Sequence, residues 1–267
     1  MTDVPYTHGH HESVLRSHRW RTAENSAGYL LNRLRPGLTV LDVGCGPGTI
    51  TCDLARLVSP GAVIGVDASE EVVVEARATV AEAGAANISV EVGSAFDLRF
   101  DDGSFDVVHA HQVLQHVGDP VAALTEMRRV CRPGGVVAVR DSDYPAMRYF
   151  PDDPDLDWAM SAYGALTRAN GANWDAGRRL LHWALEVGFA SVLPSASTWC
   201  FATPEDRAWW GGLWADRFTR SSLADQLVAR GIATDDDLAS FAAAWRRWAS
   251  SPDGWFAVLH GEILGTV

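Results

Sequence analysis

Two carboxylates and three glycines, set at the ends of neighbouring apolar runs, carry the clearest chemistry in this 267-residue chain. The stretch V-L-D-V-G-C-G-P-G-T, Val40 to Thr49, ends an apolar run in Gly44, Gly46 and Gly48. It reads as a strand, a turn and a helix start. Glycines without Cβ atoms let a ligand lie against the backbone, and the helix that follows points unpaired N–H groups at it. A dinucleotide would call for G-x-G-x-x-G; here position 49 is Thr, which disfavours it. Asp67, at the end of the next apolar run, has the reach to accept from two ribose hydroxyls. Asp42, beside the glycine turn, disfavours a pyrophosphate and suits a ligand whose near end is an amine or a sulfonium cation.

These groups need an open sheet to hold them. Strands are expected over about 38–43, 62–66, 88–92, 105–109 and 136–140, with helices over 49–58 and 70–84 between the first three. The helix before the fifth strand is the best punctuated: Asp119 caps it, Pro120 suits its first turn, Leu124, Met127 and Val130 form its stripe, and Pro133-Gly134-Gly135 follow it. Strands alternating with helices of this length imply right-handed crossovers and a mostly parallel sheet. Residues 12–34 read as one helix ended by Pro36 and Gly37. Past Arg140 a proline-rich loop leads to helices over 156–170 and 175–187, a strand over 192–201, helices over 204–218, 221–230 and 235–249, and a last, antiparallel strand over 255–264. The expected fold is α/β: a Rossmann-like, seven-stranded, mostly parallel sheet with helices on both faces. The expected divisions are an N-terminal helical lid (1–37), a core with an insertion after strand five (38–203), a helical insertion (204–250) and the last core strand (251–267).

The motifs D-V-G-C-G-P-G-T, V-I-G-V-D-A-S, G-S-A-F-D-L-R-F-D-D-G-S-F-D-V-V and R-V-C-R-P-G-G, in that order, resemble those of class I S-adenosylmethionine-dependent methyltransferases. The resemblance is strong over about 30–140 and points to the small-molecule branch that includes the ubiquinone/menaquinone-biosynthesis methyltransferases. It implies S-adenosyl-L-methionine as cofactor and S-adenosyl-L-homocysteine as product. Asp42, Gly44, Cys45 and Gly46 match the loop that holds the methionine end, Asp67 the ribose-binding acid, and Ala68 its adenine-side neighbour. Ser94 stands where the family usually has Asp, followed by Ala95 and Phe96. His109, His111 and Gln112 follow strand four, where such proteins contact the methionyl part; His109 reads equally as a histidine held by its neighbours at a strand end. Arg19, with Tyr29 nearby, suits the cofactor carboxylate because a guanidinium fork matches it.

Methyl transfer from a sulfonium is an in-line displacement served by positioning and desolvation, and it needs no metal. If the acceptor is a hydroxyl or an activated carbon, a base is called for: His10 or His11 on the lid, His111, Asp141 or Tyr144. Of the eleven tryptophans, seven lie from Trp199 onward, which suits either an apolar acceptor pocket or a core and homodimer interface. The expected reaction methylates an oxygen or carbon of a small apolar or aromatic metabolite. The alternatives are a nitrogen or a protein/peptide acceptor, and a cofactor-binding partner protein without catalysis. A net charge of −12 and the lack of a dense basic stretch argue against nucleic acid. No apolar run reaches the roughly 18 residues of a membrane span, no leader pattern opens the chain, and four scattered cysteines suit a reducing cytoplasm.

Overall fold

The computed structural model describes residues 17–267. Val40–Val43 (β1), buried at all four positions, is the centre of the sheet. It pairs in parallel with Val63–Asp67 (β2) and with Phe105–His111 (β4). Ile88–Val92 (β3) extends the sheet beyond β2, and Cys131–Ser142 (β5) runs parallel to β4. The twelve-residue strand Trp255–Thr266 (β8) lies antiparallel to β5 and, on its other side, to Ser191–Phe201 (β7).

The sheet has eight strands rather than seven, ordered β3-β2-β1-β4-β5-β8, with β7 on the far side of β8. The extra strand, Arg148–Phe150 (β6), falls in the proline-rich stretch expected to be a loop. It forms because β8 outruns β5 and leaves Trp255–Ala257 to pair with it.

Alternation along the strands assigns their side chains to two faces. Leu41, Val43, Val108, Ala110, Val137, Val139 and Ile263 pack on one face against the helices Pro120–Val130 (α4) and Ala176–Val187 (α6). The Asp119 carboxylate accepts the Ala122 N–H at 3.0 Å, which completes the expected cap of α4. On the other face Val40, Val107, Ala138 and Leu264 meet Ile50, Leu54 and Val58 of Thr49–Val58 (α2). The helix Glu70–Ala83 (α3) closes the β2–β3 edge through Val73 and Ala76. At one point α6 touches the sheet backbone to backbone: a Cβ on Gly261 would lie 1.9 Å from the Gly177 carbonyl oxygen.

The expected long N-terminal helix is broken in the described residues. Helix over 17–19 stops there, and a short helix, Ala23–Ser26 (α1), and a single turn over Leu31–Arg33 follow. Thr22 and Asn25 bond each other's backbone N–H groups in a capping box, which starts a new helix where a continuous one would run on. The segment instead spreads Ala23, Ala27 and Leu30 over the sheet, all buried.

A further core packs the helices Pro154–Ala169 (α5), Pro204–Arg220 (α7), Ser222–Ala229 (α8) and Asp235–Ser250 (α9) around Trp214, Trp245 and Trp248. The last three of these helices are the insertion between β7 and β8. No described helix is long and apolar enough to cross a membrane.

Candidate active site

A cavity of about 420 Å³ opens beyond the carboxyl ends of the parallel strands, where open α/β sheets receive ligands. Gly44, Cys45, Gly46 and Pro47 after β1, Asp67, Ala68 and Ser69 after β2, and Ser94, Ala95 and Phe96 after β3 form one end of it. Gly44 and Gly46 have φ of 67° and 56°, conformations that glycine adopts without steric cost. Asp67 bridges two of these loops: its Oδ2 accepts the Gly46 N–H at 3.1 Å and its Oδ1 the Ser69 N–H at 3.0 Å. The Ser94 hydroxyl accepts the Phe96 N–H at 3.2 Å and so shapes its own turn. Burial, with Asp42 and Asp67 adding to it, raises the Cys45 thiol well above its ordinary value, so Cys45 lines the wall as a neutral group.

Asp42 is fixed before any ligand arrives. Its Oδ2 accepts the Thr51 hydroxyl at 2.6 Å, and its Oδ1 lies 2.7 Å from His109 Nδ1. Asp42 and His109 are register partners on adjacent strands, which is why their side chains meet. His109 is fully buried behind Asp42 and does not line the cavity.

β4 runs two residues beyond its expected end, because Ala110 and His111 still pair with Val139 and Arg140. That extension brings His111 into the cavity wall, 5% exposed, with its ring 5.6 Å from that of Trp199. Neither of its ring nitrogens has a hydrogen-bond partner among the described residues. Burial first, then the charges of Arg21 and Arg140, holds its pKa well below the usual 6.5, so the ring is neutral. His116 also lines the wall, lowered to about 3 by burial and Arg21, with its Nε2 accepting from Gln115 Nε2 at 2.9 Å.

The other end of the cavity is aromatic: Trp20, Trp199, Trp209, Trp210 and Tyr144, with Met147 and Val258. Trp20 stands edge-on to Trp199 with centroids 5.2 Å apart, and the Trp199 Nε1–H donates to the Asn25 carbonyl at 2.7 Å. The N-terminal segment, α7 and the turn after β5 therefore do converge over the strand ends. Trp214, Trp245 and Trp248 are core instead.

Three expected contacts are placed elsewhere. Arg19 is half exposed, lies outside the wall and pairs with Glu75 at 2.7 Å, because Glu75 on α3 stands beside it. Arg21, two residues on, lines the cavity instead and donates to Gln112 Oε1 at 2.5 Å. Tyr29 is half-buried outside the cavity wall, and the burial of its hydroxyl raises its pKa well above the ordinary value, with the charge of Arg140 opposing. Asp141 is also off the wall: its Oδ1 accepts the Gln115 N–H at 3.0 Å beneath the Leu114–His116 turn, and burial raises its carboxyl to about 7. The reason is strand parity, which turns residue 141 to the sheet face opposite Arg140 and Ser142. His10 and His11 lie outside the described residues. Among the described residues no group of three or more histidines, cysteines or acids is placed to hold a metal.

The doubly braced Asp42, the bridging Asp67 and the glycine turn set carboxylates rather than cations at this end of the cavity, which suits a ribose and a cationic centre and disfavours a pyrophosphate. The donor set thus fits S-adenosylmethionine, and fold and site define a class I methyltransferase. The chain matches a methyltransferase-domain family over residues 34–186. It is 35% identical over 268 residues to an uncharacterized methyltransferase of Schizosaccharomyces pombe, covering 97% of this chain and 95% of that one. A demethylmenaquinone methyltransferase of Lactococcus lactis is 40% identical over 112 residues, but only 42% of this chain and 44% of that protein are covered. The YcgJ protein of Bacillus subtilis shares the fold, with a TM-score of 0.58 at 23% identity over 89% of this chain and 96% of that one. The chain belongs to the methyltransferase-domain family. It is an S-adenosylmethionine-dependent methyltransferase related to those that act on small molecules, and the demethylmenaquinone methyltransferases match less than half of it.

Proposed function

We propose that this methyltransferase acts on an oxygen or carbon of a small apolar or aromatic metabolite. The observation that carries the reading is a single cavity that joins the Asp67 loops to a wall of four tryptophans, with His111 between them. Flat aromatic walls bury an apolar ring well. Arg21 and Arg217 both line the same space, which disfavours a cationic amine as acceptor.

When bound, S-adenosylmethionine supplies an electrophilic methyl group on a sulfonium. In our assignment Asp67 accepts from the ribose hydroxyls, and Ala68, Ser94, Ala95 and Phe96 border the adenine. The Gly44–Gly46 backbone and the braced Asp42 hold the amino-acid end, with Gln112 beside it, and Arg21 takes its carboxylate. The walls exclude water and hold the acceptor in line with the methyl group, the main catalytic contributions such a displacement needs. His111 and Tyr144 are the polar side chains we assign to the acceptor's reacting atom.

Incubation with labelled S-adenosylmethionine and a panel of phenols, quinones and amines, with products identified by mass, tests the reaction. Products labelled only on nitrogen overturn the reading. In parallel, Asp67→Ala is expected to weaken cofactor binding by about ten- to a hundredfold, from the loss of charge-assisted hydrogen bonds; unchanged affinity refutes the ribose assignment.

A further inference from the structure

Gln112 follows β4 directly and has φ of 55°, alone among the described non-glycine residues in that region. Such a backbone is held only where its surroundings fix it, and it concentrates at functional sites. Here the fixing groups are explicit. The Gln112 N–H donates to the Arg140 carbonyl at 2.7 Å. Its side-chain Nε2 donates to Ser142 Oγ at 2.6 Å and to His260 Nε2 at 2.9 Å, while Oε1 accepts from Arg21 Nη2 at 2.5 Å.

His260 lies on β8, fully buried and outside the wall of the active-site cavity. Its Nδ1 is 3.1 Å from the Val258 carbonyl, which only accepts, so Nδ1 carries the hydrogen and Nε2 presents a lone pair to Gln112.

We propose that His260 is a positioning residue for the active site: its Nε2 lone pair dictates which end of the Gln112 amide faces Arg21, and thereby holds that guanidinium at the cavity. The inference rests on the reading that Arg21 engages the cofactor carboxylate. Its physical basis is an amide that has only one acceptable orientation. Rotated by 180°, the Gln112 NH2 would meet the Arg21 guanidinium donor to donor, and its oxygen would meet the His260 lone pair. A tautomer change at His260 would relieve the second clash, but it would set a lone pair against the Val258 carbonyl. Protonation would relieve it too. Burial, followed by the charges of Arg140 and Arg21, opposes that protonation, with only the Val258 carbonyl favouring it. Glu262, the nearest acid on β8, is engaged by Arg140 at 3.2 Å and by Ser195 at 2.7 Å.

The test is calorimetric binding of S-adenosylhomocysteine to the folded 267-residue chain. Arg21→Ala and His260→Leu are each expected to weaken it by about ten- to a hundredfold, the loss of one charge-assisted contact. In Gln112→Glu a carboxylate oxygen faces Arg21 whichever way the group turns. Adding His260→Leu to that variant is therefore expected to cost less than about threefold. A merely structural role for His260 gives the same loss in both backgrounds and overturns the proposal. Wild-type affinity in His260→Leu beside a weakened Arg21→Ala also overturns it, and leaves the function reading intact. Wild-type affinity in Arg21→Ala sinks the reading of Arg21 itself. If His260→Leu does not fold, nitrogen NMR of the wild-type histidines decides: the Nδ1–H tautomer from pH 6 to 8 supports the proposal, and the Nε2–H tautomer or an imidazolium refutes it.

Discussion

Asp141 is a buried acid whose ionisation opposes folding, and replacing it with asparagine makes that measurable. The carboxyl is fully buried; its Oδ1 accepts the Gln115 N–H, and its Oδ2 has no partner among the described residues. Desolvation outweighs those bonds and the nearby Arg140 and Arg21, and raises the pKa to about 7. In the unfolded chain an aspartate titrates near 3.9. Because the folded form binds the proton more tightly, stability from this group is full at low pH and falls as pH rises from about 4 to 7. At pH 5 the folded carboxyl keeps its proton while the unfolded one has lost it; by pH 8 both are ionised. The difference between those two conditions is about 2.5 kcal/mol lost by the wild type. Asp141→Asn keeps an oxygen for the Gln115 N–H and removes the titration. Its amide adds a fixed, pH-independent offset. Unfolding free energy from denaturant melts of both proteins at pH 5, 6, 7 and 8 should therefore show the variant gaining on the wild type by about 2.5 kcal/mol across the series, or about 5 °C in melting temperature. A difference that stays flat across this range means that Asp141 is ionised throughout, and the account of this site fails.

The neutral histidines act in the opposite sense. His111, His116 and His260 have folded pKa values below the ordinary one, so their contribution is full above pH 6.5 and is lost as pH falls below it. Each costs about 1.4 kcal/mol per pH step below 6.5, so melting temperature should drop steeply between pH 6.5 and 5; a level profile contradicts their neutrality. Arg19→Ala should leave S-adenosylhomocysteine affinity within about twofold, since Arg19 faces Glu75, while Arg21→Ala weakens it. Equal losses, read by calorimetry, would return the carboxylate to Arg19. Gly261→Ala forces a Cβ onto the Gly177 carbonyl oxygen and should destabilise the chain by about 3 kcal/mol, measured by denaturant melts. A change below about 0.5 kcal/mol would mean that α6 is not seated on β8 as described.

The parallel half of the fold was legible because it is written locally. Each of β1 to β4 is a short run rich in apolar residues, and the crossover helices carry their own stops, such as the Asp119 cap of α4 and Gly84 at the end of α3. The Asp42–glycine–Asp67 constellation was legible for the same reason: all its members sit within a residue or two of a strand end. Two features differ from that reading, and only the first has a local signal. The capping pair Thr22 and Asn25 interrupts an apolar periodicity that otherwise reads as one helix. The extension of β4 to His111 depends on pairing with Arg140, and no local pattern marks it.

The amino-acid sequence by itself determined which cofactor is held, because a strand, a glycine turn and a carboxylate form a site from neighbours along the chain. What stands opposite that cofactor was decided only in three dimensions. Arg21 rather than Arg19 lines the cavity because of how a broken N-terminal segment crosses the sheet. Asp141 leaves the wall because strand parity turns it to the other face. Gln112 joins Arg21, Ser142 and His260, which lie up to 148 positions from it, through contacts that no spacing encodes. The physical reason is the range of the interactions: turns and caps are fixed within a few residues, whereas the orientation of a buried amide is fixed by whichever donors and acceptors the sheet brings to it.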